Sequence, residues 1–550
     1  MLHLISINCR YSHSCLAQFC VRAELERYLP DEQVLLSQFT LNDPYYPTLL
    51  RISGQPAKAL LFSVYIWNHA YIRRLVVDIA KLLPEMPIIL GGPQAQALAG
   101  LPMIQCTIFT GEIEGAGEEF FHDLQVGTLK PFYQAEPSRS FPSPYRQKDF
   151  HTHLKNRQMY YESSRGCPFT CSYCLSSISK GVRHKPIEQV KEELAGLIAA
   201  HPMIIKLVDR TFNDSPERAL ALWKFLLKEA GNVRFHFEIA PDRFTEELFA
   251  LLAQVPCDLF QFEIGIQSCN QQTLAAVKRR MNVEHAEANI RRLVAFDSIH
   301  IHADLILGLP FETAASFLDS FNRVFRCAPH YIQLGLLKVL PDTEMQARAA
   351  EFGLVYCSEP PYEVLATRWL EHGQLSELHE FCECVESFYN SRFFRSLWPY
   401  LLQINEEPSG FFQTLLGCCR AHNFFRLAHT QALMNSLLVE LAQQREDGPL
   451  LLELLRYDWL RCGQRFLPDN LASSSQSELR DRLRRELPQE IEGLFSTRSR
   501  TEFLKHSVFL ELSEQAMALL VLGKSPAVLA FLPEQSSGVM KFNRAVVVEC

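Results

Sequence analysis

The sequence holds no uninterrupted apolar run long enough to span a bilayer; residues 518–532 are broken by Lys524 and Pro526. It holds no basic secretory leader either. Residues 1–7 are apolar but short, and they run straight into Asn8-Cys9-Arg10. Positive charge is not in excess: 54 Lys and Arg stand against 62 Asp and Glu, a formal net charge of -8. That balance argues against a protein whose main work is gripping phosphate backbones. Membrane and nucleic-acid partners are therefore not expected. Cysteine is not scarce. Seventeen thiols in a chain without a leader point to a reducing cytoplasm. With 550 residues, 47% hydrophobic and 21% charged, the expectation is a globular soluble protein of three domains.

The most informative stretch is Ser164-Arg165-Gly166-Cys167-Pro168-Phe169-Thr170-Cys171-Ser172-Tyr173-Cys174, with cysteines at the spacing C-x3-C-x2-C. Residues 158–163 read as a strand leading into it. A closed zinc site needs four ligands, usually as two spaced pairs, and no fourth Cys or His follows at a partner spacing. Three thiolates with one iron position left open suit a catalytic iron–sulfur cluster. The competing reading is three packing cysteines among seventeen. The loop resembles the signature of the radical S-adenosylmethionine (SAM) enzymes. In that family the three cysteines hold a [4Fe-4S] cluster and SAM takes the fourth iron. The resemblance implies that Cys167, Cys171 and Cys174 are the cluster ligands and the catalytic residues, with Tyr173 beside the SAM.

Residues 1–125 alternate apolar runs (3–7, 33–39, 56–65, 87–90 and 106–110) with helical patterns such as 14–28 and 71–83. That alternation means βαβ units and a doubly wound, Rossmann-like parallel sheet. Ligands of such sheets bind beyond the carboxyl ends of the strands. The turn Ser63-x-Tyr65-x-Trp67-Asn68, the Leu90-Gly91-Gly92-Pro93 turn and Gly111-Glu112-x-Glu114 lie there. They resemble loops of the cobalamin-binding domain that precedes the radical domain in B12-binding radical SAM proteins. The resemblance implies cobalamin contacts from Tyr65, Asn68, Gly91, Gly92, Pro93, Gly111 and Glu112. The first strand is not followed by D-x-H-x-x-G, so the usual lower axial histidine is missing; His13 and His69 sit at the same edge without that context. A vestigial domain, with Gly-Gly-Pro as a plain tight turn, is the other reading. Residues 126–155, rich in Pro and Ser, read as a linker.

Residues 156–350 repeat strand and helix six times, the pattern of a partial (β/α)6 TIM barrel, whose chemistry sits at the strand C-terminal ends. Those ends carry Asp209, Glu238, the run Glu263-Ile264-Gly265-Ile266-Gln267-Ser268, the basic Lys278-Arg279-Arg280, and Asp304 in D-x-I-x-G-L-P. Strand alternation puts Glu263, Gly265 and Gln267 on one face. The resemblance implies SAM contacts from Tyr173, Asp209, Glu238, Glu263, Gln267, Ser268, Arg279 and Asp304. For Asp209 a helix N-cap, and for Arg279 a solvated helix end, are the structural alternatives.

Residues 351–550 turn mainly helical, with apolar runs at 507–512, 528–532 and 545–549. They resemble an uncharacterised tail that follows cobalamin–radical SAM modules. Cys382-x-Cys384 and Cys418-Cys419 are poor spacings for a second cluster, and buried free thiols are common. The whole resemblance implies reductive SAM cleavage, with cobalamin as methyl carrier to an unnamed substrate. It also implies a one-electron reductant such as flavodoxin or ferredoxin. A radical SAM enzyme with a vestigial first domain, modifying RNA or a small molecule, and a non-catalytic iron–sulfur interaction protein are the alternatives.

Overall fold

A computed structural model of the chain describes residues 1–101, 106–178, 181–472, 476–486, 499–535 and 542–548. The first sheet contains β1 (Leu2–Asn8), β2 (Val34–Thr40), β3 (Ala59–Ser63), β4 (Ile88–Gly91), β5 (Cys106–Thr110) and β6 (Phe132–Gln134). Its order is β2-β1-β3-β4-β5-β6, and every pair is parallel. Its doubly wound character agrees with the periodicity. The sixth strand does not: it lies inside the stretch that reads as linker. Only three residues long and flanked by proline, it gives no alternation to detect. A short helix, Gln147–Thr152, occupies the same stretch.

The second sheet follows. β7 (Met159–Tyr161) leads into a hairpin of β8 (Ser164–Cys167) and β9 (Gly181–His184). Then come β10 (Ile204–Leu207), β11 (Arg234–Ile239), β12 (Phe260–Gln267), β13 (His300–Leu307) and β14 (Tyr331–Leu336). Their order is β14-β13-β12-β11-β10-β7, all parallel. These six strands are the expected partial barrel. Along β12, Phe260, Phe262, Ile264 and Ile266 are buried, whereas Gln261, Glu263, Gly265 and Gln267 are only half-buried. The apolar set faces the helices. Trp223, on the helix Pro216–Glu229, packs on Phe212, Phe237, Phe260 and Phe262 with ring centroids 5.3–6.2 Å apart. Each such ring contributes roughly 2 kcal/mol by burial. The polar set is thereby left to line the lumen.

The tail is helical, as its composition implies, and three of its apolar runs form an antiparallel sheet of Val508–Leu512, Ala527–Gln535 and Asn543–Val548. Cys384 and Cys419 bury their thiols 4.0 Å apart, and among the described residues no group of three or more His, Cys, Asp or Glu could hold a single metal ion. No helix among the described residues is long and apolar enough to cross a membrane.

The first domain is locked to the barrel through polar contacts. Ser14 Oγ donates to Gln158 O (2.7 Å), Gln158 N to Ser12 O (2.6 Å) and Arg157 Nη1 to His13 O (2.7 Å). His13 Nδ1 and the Tyr160 hydroxyl are 2.6 Å apart. Arg165, two residues before the first cysteine, reaches Glu112, Glu114 and Glu162 at 2.7–3.0 Å. Deeper in, Arg22 donates through both terminal nitrogens to Asp149, each at 2.6 Å, with the side chains 2% and 0% exposed. Removing one partner of a buried, bidentate pair strands the other charge. Arg22→Ala should therefore cost about 3–5 kcal/mol in the unfolding of the first domain. Urea denaturation followed by near-UV circular dichroism measures it; a loss under about 1 kcal/mol would show that water reaches Asp149.

Candidate functional site

The hairpin aims the cysteines. Gly166 has φ +95°, and a Cβ there would collide with the carbonyl of Gly181, so only glycine lets the two arms close. Behind the hairpin, Asp209 accepts from Ser163 N (3.0 Å), Ser163 Oγ (2.6 Å) and Ser164 Oγ (2.6 Å). Ahead of it, Ser172 N donates to Val277 O (3.0 Å) and Met345 N to Ser172 O (2.8 Å). The loop is thus tied to the barrel at Asp209, Val277 and Met345. Cys167, Cys171 and Cys174 line one cavity of roughly 200 Å³. Among the described residues no three His, Cys, Asp or Glu converge on one ion-sized point. Burial pushes the Cys167 thiol up, so it carries its proton until a metal displaces it. Its Sγ lies 3.6 Å from Thr211 Oγ1.

Facing the thiols are the C-terminal ends of β11, β12 and β13. Glu238 and Glu263 are register partners, as are Gly265 and Asp304, so three carboxylates from adjacent strands share one wall. Their environments differ. Glu263 accepts from His236 Nε2 at 3.2 Å, and that bond holds its carboxyl below the usual range. Glu238 has only Arg210, 3.7 Å away, and burial pushes it up to about 7. Burial, followed by the Glu263 and Glu238 charges, drives Asp304 well above the carboxylate range. Asp304 Oδ1 is buried with no hydrogen-bond partner. A buried acceptor left unpaired is costly, so this wall is built to receive a donor or a cation. SAM presents both, as an ammonium and a sulfonium. Arg279 Nη1 stands 3.6 Å from Cys171 Sγ, and its Nη2 donates to Gly265 O; its guanidinium also lies over the Phe169 ring (5.6 Å). Tyr173 and Gln267 complete the lining, and burial pushes the Tyr173 phenol up.

The structure thus gathers the three cysteines, Tyr173, Glu238, Glu263, Gln267, Arg279 and Asp304 at one cavity. Two expected SAM contacts fall elsewhere. Asp209 spends its carboxylate on the two serines, and its side chain is buried behind the loop it braces. Ser268 is buried and donates to Glu312 Oε1 at 2.6 Å. Alternation explains the second case: Ser268 is one residue past Gln267 and points to the other face. Two contributors, His236 and Thr211, escaped the sequence reading. His236 sits two residues before Glu238, so the same alternation would have found it.

At the carboxyl edge of the first sheet, the expected contacts divide similarly. Asn68 is buried: its Oδ1 accepts from Tyr65 N (2.7 Å) and its Nδ2 donates to Ile7 O and Ser63 O (3.0 Å each). Glu112 is spent on Arg165 and Arg183. Gly111 is required because a Cβ would meet Ala135 O. At Gly92, φ is +106° and a Cβ would lie 2.6 Å from Val64 O. These are chain-packing roles. What stays open is a flat surface: Tyr65 stacks on Trp67 at 4.4 Å and 5°, Trp67 is 46% exposed, and Gly91, Gly92 and Pro93 lie at or near the surface. An aromatic platform beside a side-chain-free turn fits a flat macrocycle. Of the two imidazoles at this edge, His13 is joined to Tyr160, and His69 is buried with neither ring nitrogen hydrogen-bonded.

Residues 161–324 match the model of the radical SAM superfamily, and residues 350–513 match a model described as a protein of unknown function (DUF4080). Two curated relatives are each 22% identical to the chain. One is the 2-(S-pantetheinyl)-carbapenam-3-carboxylate methyltransferase of Streptantibioticus cattleyicolor, matched over 404 residues. The other is the cobalamin-dependent radical SAM methyltransferase TokK of Streptomyces tokunonensis, matched over 399. Each match takes in 62% of this chain, which spans 58% of either relative's length. Among solved structures, the cobalamin-dependent S-adenosylmethionine radical enzyme OxsB with aqua-cobalamin and S-adenosylmethionine bound shares the fold. Its TM-score is 0.56 at 14% identity, covering 88% of this chain and 75% of that one.

The Ser268–Glu312 pair carries a pH signature. Glu312 is fully buried, and burial pushes its carboxyl up to about 8, with Ser268 as its one partner among the described residues. Between the ordinary value near 4.3 and about 8, the folded state keeps a proton that the unfolded chain has lost. Its contribution to stability therefore falls as pH rises through that window, by about 1.4 kcal/mol per pH unit, and levels off above it. Glu312→Gln should remove the slope. Urea unfolding of the metal-free protein between about pH 5 and about pH 8 reads it out, and an identical slope in the variant would mean that Glu312 is ionised in the folded chain.

Proposed function

We propose that this chain, with a radical SAM domain at residues 161–324, is an enzyme that cleaves SAM reductively. Cys167, Cys171 and Cys174 would hold a [4Fe-4S] cluster, and the open edge of the first domain would hold cobalamin as methyl carrier. The reading is supported above all by one cavity that joins three thiols to a wall of underpaired carboxylates at the strand C-terminal ends. When bound, the cluster supplies a low-potential electron to the sulfonium, and the corrin supplies a carrier for a methyl group.

The chain's own residues perform four tasks. The three thiols, positioned by the hairpin, would hold the cluster at the cavity. Glu238 and Asp304 receive the cationic groups of SAM, while Glu263 is held ionised by His236 and can accept from hydroxyls. Arg279, parked against Cys171 and Gly265 O, places positive charge beside the thiolates and is a fit partner for a carboxylate. Tyr173 and Phe169 cover the cavity and limit water. A one-electron donor of the flavodoxin or ferredoxin class is implied, with cytoplasm as the compartment that suits an oxygen-labile cluster. The methyl acceptor would enter from the side facing the first domain.

Anaerobic reconstitution with iron, sulfide and hydroxocobalamin tests this. Wild-type protein should gain the broad visible absorbance of a [4Fe-4S] cluster, retain a corrin spectrum after gel filtration, and release 5′-deoxyadenosine from SAM under dithionite. Cys171→Ala should lose the cluster absorbance and fall to background nucleoside release while keeping its fold. A wild-type protein that takes up cluster and SAM yet releases no nucleoside or homocysteine would end the enzyme reading. A spectrum without corrin would remove the methyl-carrier part alone.

A further inference from the structure

At the end of the barrel where the strands begin, opposite the cysteines, the tail closes over the loops entering β12 and β13. Asn390 ties it there, exchanging hydrogen bonds with the backbone of Ile332 (2.9 and 2.8 Å). Three arginines gather at this closure. Arg392 feels the charge of Asp258, Arg395 that of Asp297, and Arg461 ends the helix Gly448–Arg461. Arg395 and Arg461, but not Arg392, line a cavity of roughly 280 Å³ together with Gln403.

Guanidiniums carry five donors each, and half-buried ones normally find acceptors. Here they have not. Among the described residues, neither Arg392 nor Arg395 makes a side-chain hydrogen bond or ion pair; Arg395 merely lies 6.0 Å from the Phe542 ring. Arg461 lies over the same ring (4.1 Å) and reaches Asp458 Oδ1 at a long 3.5 Å. That carboxylate is already committed to Ser396, whose N and Oγ donate to it at 2.8 Å each. The Tyr400 hydroxyl is committed to Asp447 (2.8 Å). Burial, followed by repulsion between Arg392 and Arg395, lowers Arg392 to about 10; burial and the Arg461 charge lower Arg395. The fold therefore holds like charges together at a cost that a bound anion would offset.

We infer that this cavity in the tail is a binding site for the phosphate of a small phosphorylated molecule, gripped by the forks of Arg395 and Arg461 and the amide of Gln403. A phosphate dianion presents enough oxygens for two planar forks, whereas a carboxylate satisfies one. The cavity leaves space beside the phosphate for only a small body. Because every residue lining it belongs to the tail and none is shared with the cavity of the cysteines, its ligand is not the one that reacts there. It bridges the segment 395–403 to the end of the helix Gly448–Arg461 within the tail.

Isothermal titration of the full chain with inorganic phosphate, at fixed ionic strength in chloride and with acetate as the monoanion control, tests the site. Phosphate should bind measurably tighter than acetate and raise the melting temperature. Arg395→Gln and Arg461→Gln should each weaken phosphate binding roughly tenfold or more, and Arg395→Lys should fall between, keeping charge without the fork. The two glutamine variants serve as replicates if one fails to fold. Absence of phosphate binding, acetate binding of equal strength, or wild-type affinity in a folded glutamine variant overturns the inference.

Discussion

The cysteine loop depends on a charge that cannot be left alone. Arg165 belongs to β8, two residues before Cys167, and its guanidinium is mostly buried among Glu112, Glu114 and Glu162. Glu112 and Glu114 come from the loop after β5 of the first domain. Breaking a buried network of this kind leaves an uncompensated ion, which costs far more than the intact network contributes. The first domain therefore cannot swing away from the barrel without stranding Arg165, and Arg165 cannot shift without moving the hairpin that presents Cys167. One constraint fixes both the domain arrangement and the position of the first thiol. Phe141, with its ring 4.5 Å from Arg165, closes the remaining side.

The same logic extends around the barrel mouth. Serine hydroxyls bind Asp209 behind the hairpin, and backbone bonds to Val277 and Met345 hold its tip. What remains mobile in charge, if not in position, is the wall opposite. Glu238, Glu263 and Asp304 stand on neighbouring strands where parallel register leaves them no choice but to crowd. Repulsion within that row is relieved by His236 on Glu263 and, more distantly, by Arg210 on Glu238, and Asp304 meets it with a raised proton affinity. A cationic ligand would relieve the rest. Acids that crowd beside free thiols are a poor arrangement for stability and a good one for binding.

Much of this was legible in the chain. The C-x3-C-x2-C spacing located the loop, period-two alternation put Glu263, Gly265 and Gln267 on one lumen face, and Arg279 fell at the cavity as its place after β12 implied. The expected contacts whose polar groups are engaged within the fold share a physical trait. Asp209, Ser268, Asn68 and Glu112 are polar residues at strand ends, where a side chain can either meet a ligand or lock a loop. A sequence shows the residue and its place but not the partner that consumes it. Ser268 could have been excluded by counting faces; Asp209 could not, because its partners Ser163 and Ser164 lie 45–46 positions earlier in the chain. The strand Phe132–Gln134 was hidden for a different reason: three residues carry no period, and its pairing with β5 is a tertiary fact.

Spent and unspent hydrogen-bonding capacity thus separates site from scaffold better than position does. Asp209 is a buried aspartate of the barrel, and Asp304 is a half-buried one with a buried Oδ1. One accepts three bonds and serves the fold; the other keeps an oxygen with no partner and faces the thiols. The distinction also divides the first domain, where Asn68 and Glu112 are consumed while the Tyr65–Trp67 pair shows an open face. It finds Arg395 in the tail, a guanidinium with no acceptor beside a cavity. Folding tolerates an unpaired buried donor or acceptor only where another requirement outweighs its cost of about 1–3 kcal/mol. Binding is such a requirement at Asp304, whose unpaired oxygen stands at the cavity of the thiols, whereas other unpaired groups, such as Nδ1 of His3 and both ring nitrogens of His300, lie within the sheets themselves.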